Sequence, residues 1–392
     1  MSDTLAIDGG TPVRETLLPY SRQTISEEGI QSVVKVLRSD WLTTGPKIEE
    51  FEKEFASFVG AKHAVAVSSG TAALHSAMFV LGISKGDEVI VPTMTFASTA
   101  NAILFQGGTP VFVDSDPDTL LIDPNKVEEA ITENTKVILS VDYAGQPCDY
   151  NALNKLASKH NIPVVADACH ALGGEDNGKS VGSLADMSTF SFHAVKPIAT
   201  GEGGMIATDN QDFADSMRHF RNHCVTNDHR EREKTGSWFY EMTDLGYNYR
   251  LTDFQCALGI NQLRNVPKWT ARRQEIASRY DSEFSELDTV IPLAKRENVS
   301  HAYHLYVVKL GMDRAEAFQA LRAENIGVNV HYVPAHLHPY YKNNFGTKEG
   351  MFPIAEKAYE QIISIPMFAA MTDEDVSDVV EAVNKVCSHF KK

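Results

Sequence analysis

Short apolar runs recur between Val33 and Thr208, each bounded by Gly, Pro or Asp. They are HAVAV (63–67), DEVIVP (87–92), TPVFVD (109–114), KVILSVD (136–142), IPVVAD (162–167), MSTFSF (187–192) and GMIAT (204–208). Their length and their β-branched and aromatic content predict strands. Amphipathic segments such as TAALHSAMFVLG (71–82) and YNALNKLASKHN (150–161) lie between several of them. Strands and helices in alternation predict an α/β fold, with a mostly parallel sheet covered by helices on both faces.

The pattern changes in the last third. HAYHLYVVKL (301–310) and GVNVHYV (327–333) read as strands around the helix RAEAFQALRAENI (314–326). TDEDVSDVVEAVNKVC (372–387) predicts a final helix. Thr372 can cap it, Asp373, Glu374 and Asp375 suit its positive end, and Val376, Val379, Val380, Val383 and Cys387 form one apolar stripe. The expected division is an N-terminal segment at 1–25, a large domain at 26–264 and a smaller α+β domain at 265–392. A helix through KWTARRQEIASRYDSEFSEL (268–287) links the two domains. The stretch RNHCVTNDHREREKTGSWFYEMTDLGYNYR (221–250) is charged and then aromatic. It predicts a long loop, and such loops are often functional.

Composition narrows the function classes. A hydrophobic content of 43% over 392 residues leaves room for a large core. A net charge of −16 disfavours nucleic acid and anionic lipid as general partners. Small anionic substrates need only a local basic pocket and stay open. Five scattered cysteines without C-x-x-C spacing argue against a disulfide framework or a zinc site and fit a reducing cytoplasm. MSDTLAIDGGTPVRE has no signal-peptide core, and no run of about 18 apolar residues predicts a membrane span.

TGEGGMIA (200–207) has Ile206 where a dinucleotide fingerprint needs its third glycine, and it leads into a strand. Three other places carry candidate chemistry. In SSGTAALHSAMFVLG, Gly70 permits a tight turn and Thr71 and Ala72 open a helix, so free N–H groups can face an anion. An ordinary Ser or Thr cap reads the same way. Asp167 ends the strand IPVVAD, where open α/β sheets keep their ligands; it could equally cap a helix. Lys196 follows the strand MSTFSF, and Pro197 pushes it out of helical geometry. Gly201, Gly203 and Gly204 then allow close backbone approach. Alone it reads as a surface lysine; over a pocket it reads as a nucleophilic amine.

Together the three suit pyridoxal 5′-phosphate (PLP). Its phosphate needs N–H donors, its ring nitrogen an acid partner, and its aldehyde a lysine. Ser191 could add a hydroxyl to the phosphate. Phe96 offers an aromatic face to the ring, or is simply core.

The chain resembles the DegT/StrS-type sugar aminotransferases, a branch of the fold-type I, aspartate-aminotransferase-like PLP enzymes. The resemblance runs through SDWLTTGPKIEEFEKEFASFVGAKHAVAVSSGTAAL, DACHALGG, SFHAVKPIATGEGG, LGYNYRLTDFQCALG and HYVPAHLHPYY. It implies a large domain with a mostly parallel seven-stranded sheet and a smaller C-terminal α+β domain. It further implies that Lys196 holds the cofactor's aldehyde as a Schiff base and that Asp167 pairs with the ring nitrogen. His170 would lie near the ring oxygen, and Thr71, Ala72 and Ser191 would bind the phosphate. Phe96 would stack on the ring. Asn248, in NYRLTD, would reach the phosphate of a neighbouring subunit's cofactor, making the active unit a homodimer.

PYSRQ (19–23), VDYAGQPCD (141–149) and the H-x-V-K-P form of the lysine motif resemble the subgroup that serves pseudaminic-acid synthesis. That subgroup moves an amino group from L-glutamate to C4 of a UDP-linked 4-keto-6-deoxy-N-acetylhexosamine and releases 2-oxoglutarate. Where this chain has DYAGQ (142–146), many relatives have His followed by an aromatic residue and Gly. Arg22, Arg250, His331 and His336 are the candidates for holding the UDP; HYVPAHLHPYY lacks metal-ligand spacing. Rival readings are amination of another nucleotide keto sugar of perosamine or bacillosamine type, a PLP-dependent sugar dehydratase, and a PLP-binding regulator. Dehydratase relatives replace the lysine by histidine, and Lys196 is present here.

Overall fold

The structure is a computed structural model that describes residues 4–227, 232 and 234–390. The charged middle of the 221–250 stretch, at 228–231 and 233, lies outside the described residues.

All seven expected strands of the large sheet form: β1 His63–Val67, β2 Glu88–Pro92, β3 Thr109–Val113, β4 Thr135–Val141, β5 Val164–Asp167, β6 Met187–Ser191 and β7 Gly204–Thr208. Their order is β1-β7-β6-β5-β4-β2-β3. β7 is antiparallel to both neighbours, pairing His63 with Thr208 on one side and Ser191 with Gly204 on the other. The remaining pairs are parallel.

Each strand is apolar on both faces because both faces are covered. Ala64 and Ala66 of β1 pack in one cluster with Phe51, Phe55 and Val59 of helix α2, Pro46–Val59. Val65 and Val67 point the other way, with the period of two that a strand imposes. They pack with Ala73, Ala77 and Met78 of α3, Gly70–Val80, and with Ala100 and Ile103 of α4, Ala97–Phe105.

Helix α5, Asp253–Phe284, is 32 residues long. Ile260, Leu263 and Val266 join the cluster under the large sheet, whereas Ile276, Ala277, Tyr280 and Phe284 join a separate C-terminal cluster. The linking helix expected at 268–287 is therefore the second half of a longer one. Leu5 and Leu18 pack in the C-terminal cluster, and Glu324 accepts from the amides of Ala6 (2.8 Å) and Val13 (2.9 Å). The N-terminal segment is thus fastened to the smaller unit.

The smaller sheet is antiparallel, with β8 Val290–Pro292, β9 Tyr306–Leu310 and β10 Ile362–Ile365 in that order. Here the structure corrects one expectation. Residues 327–333 are not a strand; they make an isolated bridge, Asn329 to Ser364, and run on as irregular chain. The strand predicted there is replaced by IISI at 362–365. The last helix, α6 Asp373–Phe390, is capped as expected: Asp375 N donates to Thr372 Oγ1 at 3.0 Å, and the stripe from Val376 to Cys387 is buried.

Candidate active site

A cavity of about 520 Å³ opens at the carboxyl ends of the parallel strands. Ser69, Gly70, Thr71, Phe96, Asp167, His170, Ser191, Lys196 and His331 all line it. Residues far apart in sequence meet there because the strand ends converge, which is where open α/β sheets bind ligands.

Asp167 is the last residue of β5 and is buried. Its Oδ2 accepts from Thr99 Oγ1 at 2.8 Å, and its Oδ1 accepts from the Cys169 amide at 3.3 Å. Thr99 lies one turn after Phe96, the N-cap residue of α4. A carboxylate fixed this way can hold a proton on a ring nitrogen in front of it.

Lys196 sits in the connection between β6 and β7. The amide of Phe192 donates to Gly203 O at 2.8 Å and that of Thr200 to Phe192 O at 2.9 Å, closing the loop at its base. Lys196 N donates to His193 O at 2.9 Å, and Gly201 takes φ +85°. Among the described residues the Lys196 ammonium makes no hydrogen bond or ion pair. Burial pushes its pKa below the usual lysine value, while Cys169 and Asp167 oppose the shift. Desolvation disfavours the charged form, so the neutral amine is easier to reach than in a solvent-facing lysine.

The anion cradle is built by close backbone approach. A Cβ on Gly70 would stand 2.9 Å from Ser191 Cβ, and one on Gly204 would stand 2.4 Å from Ser69 O. Only glycine at both positions lets the β6–β7 hairpin lie against the start of α3. Ser69 caps that helix through its side chain, taking the amide of Ala72 at 3.0 Å. Ala72 is buried, does not line the cavity, and its N–H is already engaged. The Gly70 and Thr71 amides and the Ser191 hydroxyl remain to meet an oxyanion at the positive helix end. Space that a single Cβ would fill, beside free N–H groups, fits a phosphate.

The opposite wall is aromatic and polar. Phe96 is 58% exposed and faces Tyr332, with ring centroids 5.8 Å apart. Tyr332 OH lies 3.0 Å from His170 Nε2. His331 is bonded through Nδ1 to Ser364 Oγ (2.8 Å) and through Nε2 to Asn329 (3.3 Å). Burial pushes its pKa down to about 4, so it serves as a neutral group, not as a cation. Tyr20, from the N-terminal segment, packs on His331 at 5.3 Å.

The other expected substrate residues lie elsewhere. His336 is fully buried between Thr93 Oγ1 (2.6 Å) and Glu356 Oε1 (3.0 Å), and it is not among the residues that line the cavity. Arg22 is exposed, with its guanidinium 5.4 Å from the Phe368 ring. Arg250 donates to Asn222 Oδ1 at 2.7 Å and lines a different cavity of about 470 Å³ with Thr44, Glu52, Arg218 and Arg221. Asn248 is exposed outside the Lys196 cavity. Its neighbour Tyr249 accepts from the Ser68 amide at 2.8 Å and places its OH 3.0 Å from His75 Nδ1, so the segment is pinned beside the cradle. Thr99, Tyr20, His304, Asn329 and Tyr332 were missed by sequence reasoning. Thr99 could have been found from its place one turn beyond Phe96.

Three comparisons bear on this geometry. The sequence pattern of the DegT/DnrJ/EryC1/StrS aminotransferase family matches residues 23–384. The spore coat polysaccharide biosynthesis protein SpsC of Bacillus subtilis is 45% identical over 380 residues, covering 95% of this chain and 98% of SpsC. Spr1654 from Streptococcus pneumoniae, described as a candidate sugar aminotransferase, superposes in its PMP form with a TM-score of 0.91 and 36% identity, covering 95% of this chain and all of that one. Its PLP form superposes with a TM-score of 0.90. PseC of Helicobacter pylori, an aminotransferase involved in pseudaminic-acid biosynthesis, superposes with a TM-score of 0.89 and 33% identity over 96% of this chain and all of PseC.

Proposed function

The chain belongs to the DegT/DnrJ/EryC1/StrS aminotransferase family and is a PLP-dependent sugar aminotransferase; on that premise we propose its substrates. It transfers the amino group of L-glutamate to C4 of a UDP-linked 4-keto-6-deoxy-N-acetylhexosamine. The product is UDP-4-amino-4,6-dideoxy-N-acetyl-β-L-altrosamine. The likeness to PseC supports this reading. The 45% identity to SpsC favours a second one, amination of another nucleotide keto sugar such as a perosamine- or bacillosamine-type intermediate.

One observation carries the chemistry: an unengaged, half-buried lysine amine shares a cavity with a fixed strand-end carboxylate. PLP, when bound, supplies the electron sink that stabilises a carbanion at the donor's α-carbon. The protein's part is binding and proton transfer. The Lys196 amine, neutral once free, takes the proton from the donor's α-carbon and later delivers one to C4 of the sugar. Asp167, steadied by Thr99, keeps a proton on the ring nitrogen. The Gly70 and Thr71 amides and the Ser191 hydroxyl hold the phosphate. Phe96 covers a ring face, and His170 meets the ring oxygen. Tyr20, Asn329 and His331 offer neutral hydrogen-bonding groups that suit sugar hydroxyl and amide substituents.

The working unit is a homodimer. The segment leading to Asn248 exposes Trp238 (85%), Phe239, Tyr240, Met242 and Leu245. So much exposed apolar surface along one segment suits an interaction site. Asn248 of a second copy then reaches the phosphate, and Arg250, two residues further on, comes with it as a candidate cation for the UDP.

The test is product analysis. Purified protein with PLP and L-glutamate is offered a panel of UDP- and dTDP-linked keto sugars, and NMR reads the position and stereochemistry of the new amine. Amination of only a dTDP sugar would displace the UDP assignment. Loss of the keto sugar's C3 hydroxyl in place of amination would favour a dehydratase.

A further inference from the structure

Two histidines meet at the floor of the cavity. The rings of His170 and His304 are 4.5 Å apart between centroids and tilted by 48°. Both residues line the cavity and both are buried. The Nδ1 atom of each is buried without a hydrogen-bond partner among the described residues. Buried imidazole nitrogens are normally paired, so two orphans on adjacent rings need an explanation.

The approach of the two rings is built into the backbone. His170 lies in the turn three residues beyond Asp167, the last residue of β5, and His304 precedes β9 of the smaller sheet. Gly145, with φ +107°, lies between them. A Cβ there would stand 2.9 Å from His170 O, from His304 N and from Tyr303 N. The Leu305 amide donates to Ala144 O at 3.1 Å and the Ala302 amide to Gly145 O at 2.9 Å, which ties the His304 segment to the same turn. The AG pair of VDYAGQPCD therefore presses the two histidine-bearing segments together.

We infer that His304 is a positioning residue for His170: its ring backs the His170 imidazole, fixes its tilt and excludes water from its inner edge. This rests on His170 facing the cofactor's ring oxygen, as proposed above. His170 then meets the cofactor as a neutral ring whose outer nitrogen is set by Tyr332. The groups that face the pair are Tyr332 OH at 3.0 Å from His170, Lys196, and His331. Arg273 adds positive charge on the His304 side. Burial above all pushes both imidazoles well below the usual histidine pKa, with Lys196 adding to the shift on both and Arg273 on His304.

The experiment titrates the visible absorbance of the bound cofactor in the holoenzyme. His304→Ala removes the ring and wets His170. A new titration should then appear between about pH 5.5 and 7.5, or the wild-type midpoint should move by about one pH unit, as a wetted imidazole regains its ordinary pKa. His304→Phe keeps the backing ring and should retain the wild-type profile. If His304→Ala does not fold, His304→Gln carries the same expectation, since it keeps volume without a planar ring. His304→Ala combined with His170→Gln should lose the new titration. Wild-type profiles in both the Ala and Gln variants would overturn the inference, provided that His170→Gln alone changes the spectrum. No spectral change in His170→Gln would instead overturn the placement of His170 at the cofactor.

Discussion

Thr99 Oγ1 donates a 2.8 Å hydrogen bond to Asp167 Oδ2, binding the carboxylate at the end of β5 to the first turn of α4. Thr99 also meets Thr95 Oγ1 at 2.7 Å, so the bond belongs to a short buried chain. Phe96 rides on the same turn. The acid partner and the aromatic cover are therefore set by one element.

Replacing Asp167 by Asn keeps an acceptor for Thr99 but removes the charge. We expect kcat/KM to fall by about a hundredfold or more, because the charge acts where the transition state needs it. Thr99→Val removes only the support of the carboxylate, and a loss of about tenfold is expected. Steady-state kinetics on both variants checks this; an equal loss in the two would mean that Thr99 does more than orient Asp167.

Lys196→Ala should still bind the cofactor through the cradle but lose the visible band of the lysine-bound form. Turnover should drop by at least about a thousandfold, the scale of a lost general base that also anchors the cofactor. An absorbance spectrum and a single-turnover assay suffice. Persistence of the band would reassign the lysine.

Gly70→Ala introduces a methyl 2.9 Å from Ser191 Cβ and 3.2 Å from Cys169 Sγ. The cradle must open, and cofactor affinity should weaken by about a hundredfold. Ser191→Ala forfeits one hydrogen bond to an anion and should weaken it by about tenfold. Equilibrium dialysis of the cofactor distinguishes the two. Equal affinities for Gly70→Ala and wild type would show that the phosphate sits elsewhere.

Asp142 lies behind Asp167, its amide donating to Asp167 O at 3.0 Å. Burial pushes its carboxyl up to about 7 from the usual 3.8, against hydrogen bonds from the Cys148 amide and the Tyr150 hydroxyl. The folded pKa is raised. Its contribution to stability is therefore fully present below about pH 4 and is lost as pH rises through about 7. Asp142→Asn keeps the acceptor and removes the titration. Relative to wild type, the variant should gain about 2 kcal/mol between pH 5 and pH 8. Thermal melts at the two pH values test it, and an unchanged difference in Tm would refute the shift.

The sequence was most informative where physics is local. Seven strand segments were legible because each is a brief apolar run, and the cap at Thr372 and the stripe from Val376 to Cys387 were legible for the same reason. The segment 327–333 misled because Val328, Val330 and Tyr332 alternate with polar residues as in a strand. In the fold the alternation does not act as a strand's would: Asn329, Val330, His331 and Tyr332 all line the cavity from an irregular segment. Ile362–Ile365 passed unnoticed because it follows a helix with no turn residue between them. The site split in the same way. Lys196, Asp167 and the Gly70 turn stand at the ends of recognisable strands. His336 looked like its neighbour His331, and only three-dimensional packing against Thr93 and Glu356 separates the two. His304 and Thr99 act through contacts across the fold, which no local pattern records.

The loop that carries Lys196 is stitched at many points. Besides its own closing bonds, Ala199 N donates to Gln262 Oε1 on α5 at 3.2 Å, and Ser21 Oγ of the N-terminal segment donates to Val195 O at 3.2 Å. The anchorage leaves the backbone nowhere to go. Lys196 must nonetheless let go of one partner and reach for another in each catalytic cycle, and the travel is left to the rotations along its own four-carbon stem. The enzyme works like a crane on a poured foundation: the base is immobile so that a short, flexible arm can swing and return to the same place.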